Sequence, residues 1–512
     1  MLQRKNHIYV LNPSYVLRND VHRIVLFSRI RFGVDCSKDW QSFIHPIQAI
    51  LLSFFTYDRT LQENIEMLAN FFHRDAAYME RVLDLYLENE SSVYTIWNGQ
   101  KILFPKRILI RKEDAGIDFQ FRRLNPNDFV CKKLDLLSRR LYSGPLLLTF
   151  MLTNKCVTHC KYCYADTKTK VRHLLPVSRI LTLIREAADL QVQQVALIGG
   201  EVFLYPDWEI ILKELVWRDI APEYLSTKIP FTGDLLGRLR KTGYRHTIQV
   251  SLDAISTSVL QESLQVSNKY RQNMEHGLRL LDQSGFDYQV STVVSTYNCD
   301  CHVLTDLFRF LLTLEHLSEW RIVPVSNSLH VSPEEMEKIK PSYDELDGLF
   351  DYIQEFIVPA SPFTILLNES FRKQKFHQTD GGSRYFEGSN CSALNTHLFI
   401  LPDGQVTICE QLYWHPVFIV DNATISNLKK IWNSPHSLRL LRLTRQEIQK
   451  ASACKSCVLF NSCYQYQNRC WSDIMKAYGI NCWDFPDPRC LKSPVMRNFI
   501  QINPTSSAES SI

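Results

Sequence analysis

Nothing in these 512 residues is apolar for long enough to cross a bilayer, and the opening Met1-Leu2-Gln3-Arg4-Lys5-Asn6-His7 lacks the apolar core of a secretory signal. A cytoplasmic location with no membrane partner is the resulting expectation. Charge of one sign is also wanting: 58 Lys and Arg stand against 54 Asp and Glu, a formal net charge of +4, with no long basic run. Nucleic acid is therefore not implied as a partner. No internal repeat is visible beyond an alternation of strand and helix patterns, and low complexity is confined to the polar tail at 506–511. The length predicts two or three domains. What the chain has in quantity is cysteine, 15 in all, clustered at 156–163 and 391–490. The cytosol keeps thiols reduced, so such clusters point to metal or catalysis rather than to a disulfide framework.

Residues 1–110 read as a small domain. Short apolar runs at 8–11, 15–17 and 24–27, broken by Asn12-Pro13 and Asn19-Asp20, predict a strand meander. Helices follow at 46–55 and from Thr60, where Glu63 completes a capping box that satisfies free backbone N–H groups. A third helix carries Met79, Val82, Leu83 and Tyr86 on one face. Asn98-Gly99-Gln100 between the runs at 94–97 and 101–104 predicts a hairpin. Strands, three helices and a terminal hairpin describe a winged helix-turn-helix. That fold commonly binds nucleic acid, but no concentrated basic helix is present to neutralise phosphates. The segment resembles the RiPP recognition element, a PqqD-like peptide-binding domain of enzymes that modify ribosomally made peptides. The family's Leu-Asn-Pro and Val-Leu-Arg stand here as Leu11-Asn12-Pro13 and Val16-Leu17-Arg18. The resemblance implies capture of a precursor peptide's leader as an added strand beside the small sheet, resting on a helix.

Over 111–143 the chain is charged and irregular, with Asn125-Pro126-Asn127 inside, and reads as a linker. From 144 to 330, strand patterns at 146–152, 194–198, 224–228, 247–252, 288–294 and 320–325 alternate with helical ones such as Ile180, Leu183, Ile184 and Ala187. Six strand–helix units predict an α/β fold with a parallel sheet, open or curled as a partial barrel, and function at the carboxyl ends of its strands. Residues 331–385 read as a bridging helical segment, 386–495 as a cysteine-rich domain and 496–512 as a tail.

Cys156-x3-Cys160-x2-Cys163 directly follows the first of these strands. Three thiolates on one short loop can hold three irons of a [4Fe-4S] cluster and leave the fourth open to substrate. A zinc knuckle is the plainer alternative, although zinc sites prefer four ligands with a paired half nearby. Gly199-Gly200-Glu201 ends the second strand, where two glycines let backbone approach a ligand closely and a carboxylate can pair with an ammonium. Ser251-Leu252-Asp253 ends the fourth, with Ser251 and Asp253 on one face; taken singly, Asp253 would more often be a helix N-cap. Together these segments resemble the radical S-adenosylmethionine family, whose fold is a partial (β/α)6 barrel. The resemblance implies that S-adenosylmethionine docks on the open iron and is cleaved by one electron to a 5′-deoxyadenosyl radical. It assigns Gly199, Gly200 and Glu201 to the methionine amino group, Ser251 and Asp253 to the ribose side, and Tyr162 to the adenine. Two positions depart from the family: Val202 replaces the usual proline, and Ser263-Leu264-Gln265-Val266 lacks the arginine with which many relatives bind the methionine carboxylate.

Further on, Cys391 precedes Pro402-Asp403-Gly404 and Cys409; then come Cys454-x2-Cys457-x5-Cys463, Cys470, Cys482 and Cys490. A zinc ribbon would explain the middle group alone. The whole set resembles the SPASM domain, which binds auxiliary [4Fe-4S] clusters in peptide- and protein-modifying relatives. By that resemblance Cys391, Cys409 and Cys470 hold the first auxiliary cluster, and Cys454, Cys457, Cys463 and a late cysteine the second. No cysteine just upstream of Cys391 completes the first cluster, which either keeps an open iron or recruits Cys482 or Cys490, and the gap from Cys463 to Cys470 is longer than the family's. Glu410 follows Cys409 where the related anaerobic sulfatase maturases carry an Asp that acts as base on the substrate radical. A solvent-facing Glu is the alternative. Cys36, Cys131, Cys299 and Cys301 match no motif and read as ordinary cysteines.

These readings converge on a peptide maturase. The N-terminal domain would hold a precursor's leader and so raise the local concentration of its core peptide. The barrel would abstract hydrogen from a core residue, and the auxiliary clusters would take the surplus electron. A thioether, carbon–carbon or ether crosslink would result. An electron donor such as flavodoxin or ferredoxin is implied as a further partner. One rival is a sulfatase-maturase-like enzyme that makes formylglycine, which needs no leader-binding domain. Another is a catalytically silent peptide scaffold holding zinc, against which the intact Cys156, Cys160 and Cys163 speak. Salt-sensitive DNA binding by 1–110 would mark a transcription factor instead.

Overall fold

The computed structural model describes residues 2–29, 33–116, 123–369, 376–378, 384–386, 391–466 and 469–498. The chain divides into two compact units, Met1–Gly144 and Pro145–Ser507. The expected tail at 496–512 lies outside the described residues from 499 onward.

In the first unit, β1 (Tyr9–Leu11) is followed by an antiparallel meander of β2 (Tyr15–Asn19), β3 (Ile24–Ser28) and β4 (Gln41–Ile44). Helices at Pro46–Ser53, Leu61–Phe72 and Ala76–Leu83 come next. The second is opened by the capping box expected at Thr60 and Glu63, with the Thr60 amide donating to Glu63 Oε2 at 2.7 Å. β5 (Val93–Trp97) and β6 (Gln100–Phe104) form a hairpin across Asn98 and Gly99, at φ +47° and +78°. Those left-handed angles are what a two-residue type I′ turn requires. β7 (Leu109–Arg111) returns to pair with β1. Leu17, Ile24 and Leu26 of the meander meet Leu52, Leu68 and Leu83 of the helices in one core.

Residues 135–143, from the expected linker, and Gly144 after them are fastened over the β2–β3 hairpin. Asp20 and Arg23, with fully buried side chains, form an ion pair at 3.1 Å. Asp20 Oδ1 also accepts from the amides of Tyr142 and Ser143 at 2.8 Å, and Arg23 donates to the Arg140 carbonyl at 2.7 Å. Arg18 donates to Ser143 Oγ and the Gly144 carbonyl, each at 2.7 Å. Buried charges must find partners, and this strand of chain supplies them. Asp20→Ala leaves Arg23 buried and unpaired; it is expected to cost this unit about 3–5 kcal/mol, read as a lower denaturant midpoint.

The second unit contains all six expected strands: β8 (Leu147–Met151), β9 (Gln194–Ile198), β10 (Tyr224–Thr227), β11 (Thr247–Ser251), β12 (Tyr288–Val294) and β13 (Leu317–Pro324). Helices such as Val177–Asp189, Trp208–Trp217 and Lys269–Asp282 alternate with them. Several strands escaped the sequence reading. After helices at Pro333–Ile339 and Tyr343–Tyr352, the segment read as a helical bridge adds β14 (Thr364–Leu367) in parallel to β13. A hairpin of β15 (Phe376–Gln378) and β16 (Arg384–Phe386) follows. At the other edge β17 (His397–Ile400), from the cysteine-rich region, pairs in parallel with β8. β18 (Gln405–Thr407) and β19 (Asp421–Asn422) continue that sheet antiparallel. The parallel orders are thus β17-β8-β9 and β10-β11-β12-β13-β14, an incomplete α/β barrel. Among the described residues no helix is long and apolar enough to cross a membrane.

Candidate functional site

The loop bearing Cys156, Cys160 and Cys163 leaves the carboxyl end of β8 and is gripped from two sides. From β9, the Gly200 amide donates to the Thr153 carbonyl and the Glu201 amide to the Lys155 carbonyl, both at 2.8 Å. A Cβ on Gly200 would lie 2.2 Å from the Lys155 carbonyl oxygen, and one on Gly199 2.6 Å from that of Thr153. Only glycine allows this approach. From the helix after β11, the carbonyls of Leu264 and Ser263 accept from the His159 and Lys161 amides at 2.9 Å. Residues 263–264, where the carboxylate-binding arginine is missing, therefore hold the loop in place. The Glu201 carboxylate turns to β10, accepting from the Thr227 hydroxyl at 2.9 Å and the Lys228 amide at 3.0 Å. It ties the ends of β9 and β10 together, and burial pushes its pKa up.

Next to the loop lies a buried polar triad. Tyr162 donates its hydroxyl to Asp253, and Lys228 Nζ reaches the Tyr162 hydroxyl at 2.9 Å and Asp253 Oδ2 at 3.1 Å. Burial works against the Lys228 charge, yet Asp253, Tyr162 and Cys160 outweigh it and hold the ammonium well above its usual value. Asp253 Oδ1 also accepts from the Val293 amide at 3.0 Å, so the triad spans the ends of β10, β11 and β12. The helix cap after β11 is Ser256 rather than Asp253. Ser251 is half-buried at the end of β11.

The thiols fall into three groups. Cys163 is pushed up to about 11 by burial and by the neighbouring Cys160 and Cys156. Cys409 is pushed well up by burial, with Cys470 and Cys391 adding like charge, while Cys470 reaches about 12. Cys490, raised by burial, feels Cys463, Cys454 and Cys457. Cys482 joins none of them: it packs against Ile474, Ala477, Tyr478 and Phe485, with the Arg497 guanidinium at 3.9 Å. Of the two late cysteines, Cys490 thus feels the second set, while Cys482 packs in an apolar cluster. Among the described residues no three His, Cys, Asp or Glu side chains converge on a single-ion site.

Glu410 follows Cys409 in the chain, and its charge acts on tyrosines that also feel Cys163. Tyr164 is pushed well up by Glu410 first and by burial second, with Cys163 and Cys409 adding to it. Tyr413 is raised by burial, then by Tyr164 and Glu410. Burial also raises Glu410 itself, against the pull of Lys476. Yet Tyr164 remains 39% accessible, so it faces open space.

Residues 150–300 match the model of the radical SAM superfamily, and residues 391–458 that of an iron-sulfur cluster-binding domain, SPASM. The chain carries a radical SAM domain and a SPASM domain. These two domains imply [4Fe-4S] clusters and S-adenosylmethionine as cofactors. Mycofactocin maturase MftC of Mycobacterium ulcerans is 24% identical over 357 residues, 68% of this chain and 88% of that protein. GTP 3′,8-cyclase of Aquifex aeolicus is 30% identical over 189 residues, 35% of this chain and 56% of that one. Among solved structures, Streptococcus suis SuiB bound to S-adenosylmethionine superposes with a TM-score of 0.60 at 15% identity, covering 94% of this chain and 100% of that one. SuiB bound to precursor peptide SuiA gives a TM-score of 0.60 at 16% identity, with the same coverage. These likenesses establish the fold.

The residues of this radical SAM enzyme fit clusters chemically. Burial keeps Cys160, Cys163, Cys391, Cys409, Cys463, Cys470 and Cys490 in their neutral form, the state that iron converts to thiolate on binding. Lys228 is the residue of the site that sequence reasoning missed. One lysine at a strand end carries no motif, and its meaning arises only when β10 and β11 set it against Asp253.

Proposed function

We propose that this radical SAM enzyme oxidatively modifies a ribosomally made precursor peptide, bound through its leader by the first unit. The observation that carries the reading is the partly exposed Tyr164, which follows Cys163 in the chain and feels the charges of Glu410, Cys163 and Cys409. A substrate residue there would meet the radical source, a carboxylate and an electron acceptor together. When bound, the first cluster and S-adenosylmethionine supply a hydrogen-abstracting radical. Gly199 and Gly200 fix the loop that presents it. Lys228 provides the cation for the methionine carboxylate that residues 263–266 lack, and Tyr162, oriented by Asp253, offers its ring to the adenine. Glu410 takes the proton that the substrate must lose as an electron leaves toward the set of Cys391, Cys409 and Cys470. The second set, Cys454, Cys457, Cys463 and Cys490, would hold a further cluster, which would supply a route for that electron to a small redox protein such as flavodoxin or ferredoxin. Winged-helix elements in the first unit support leader capture by strand addition, and the fifteen cysteines suit a reducing cytoplasm. A maturase and a precursor-bound structure among the relatives support the substrate class.

The test is a search for a short reading frame beside the gene and co-expression with the peptide it encodes, followed by mass spectrometry. Loss of two hydrogens per new bond is expected, and an unmodified peptide without altered stereochemistry would overturn the reading. Glu410→Gln should leave 5′-deoxyadenosine formation near the parent rate while modified peptide falls about 100-fold or more, the contribution of a positioned base. Equal loss of both products would remove Glu410 from that role.

A further inference from the structure

Two buried arginines cross-link the auxiliary thiol sets. Arg469 directly precedes Cys470 of the first set, yet its guanidinium Nη2 lies 3.7 Å from the Cys454 sulfur of the second. It is 4% exposed. Arg489 is placed the other way round. It directly precedes Cys490 of the second set, but bonds Asp487 at 2.7 Å and Asp473 at 3.1 Å. Asp487 Oδ2 accepts from the Cys470 amide at 2.9 Å, and the Asp473 charge is felt by Cys391 and Cys470. Each arginine therefore acts on the thiols that its sequence neighbour does not join.

We propose that Arg469 sets the reduction potential of the second auxiliary cluster, by donating an N–H to the Cys454 sulfur and placing a buried cation beside that set. The inference rests on the iron–sulfur reading of both sets. A reduced cluster carries one more negative charge than its oxidised form, so a donor to ligand sulfur and a nearby cation favour reduction and raise the potential. In a dry interior the effect is stronger than at a surface. Arg489 is balanced by two carboxylates, so its field on the first set is largely cancelled. Arg469 is a tuning residue, and electrons arriving at the first set would find the second easier to reduce because of it.

The full-length protein is reconstituted anaerobically with Cys156, Cys160 and Cys163 replaced by Ala, so that only auxiliary clusters respond, and titrated by electron paramagnetic resonance. In Arg469→Gln, one of the two auxiliary midpoints should move to lower potential while the other stays. Arg469→Lys, which keeps the charge, should recover most of the shift. With 15N-arginine in the unsubstituted position, the reduced second cluster should show a nitrogen hyperfine coupling that Arg469→Lys loses. Equal midpoints for parent and Arg469→Gln at equal iron content would overturn the proposal, as would absence of the 15N coupling in the parent. The second readout decides the matter if Arg469→Gln fails to retain its cluster. Protein that takes up no iron or sulfide fails at an earlier step and overturns the iron–sulfur reading along with the proposal.

Discussion

Gly200→Ala is expected to lower 5′-deoxyadenosine formation about 100-fold although the substituted position touches no cysteine. The new methyl would stand 2.2 Å from the Lys155 carbonyl, backbone that cannot swing aside as a side chain would. The loop must retreat by about 1 Å, and a displacement of that size at reacting atoms costs on the order of 100-fold. Iron content of the loop should fall in parallel, measured colorimetrically on protein whose auxiliary cysteines are intact. Gly237→Ala is the control. It lies on the helix Gly233–Lys241 with open space where the methyl would go, and its activity should match the parent. Full activity in Gly200→Ala would mean that the loop is not held by the β9 end.

Lys228→Met should be nearly as damaging, by a different route. It strands Asp253, a carboxylate 1% exposed, without its cation, and removal of one partner from a buried pair costs about 3–5 kcal/mol. It also takes away the positive charge beside Cys160. The double variant Lys228→Met with Asp253→Asn separates the two effects. Its thermal midpoint should return most of the way to the parent's, because no buried charge is left unpaired, whereas cleavage of S-adenosylmethionine should stay low. Recovery of cleavage together with stability would make Lys228 a structural residue only.

Strands of the barrel were legible because each is a compact apolar run followed by a helical period, a pattern that parallel, doubly covered sheets impose. β14 and β17 were not, for local reasons. β14 is four residues long and alternates half-buried with exposed positions at a sheet edge, where the hydrophobic signal is weakest. β17 sits among cysteines that dominate any reading of its surroundings. The segment before Pro145 was read as irregular, and it is irregular; what sequence could not convey is that Asp20 and Arg23 are buried and draw it in. Cysteine loops were legible since thiol chemistry depends on spacing along the chain. The choice between Cys482 and Cys490 was not, because it depends on how residues 483–490 turn back past the helix Trp471–Tyr478. Arg469 and Arg489 carry no motif at all: what each meets is decided by the fold, the Cys454 sulfur for Arg469 and the Asp473 and Asp487 carboxylates for Arg489.

The pairing of β17 with β8 reaches beyond the finished molecule. While the ribosome is still short of residue 400, the outer edge of β8 has no strand to bond, and its backbone donors and acceptors stand ready for any extended chain they meet. A recombinant fragment ended at a tidy-looking border near 386 would keep that edge bare permanently. Such a piece invites strand exchange and aggregation, so shortened versions for crystallography or antibody work should stop beyond β19 or not be made.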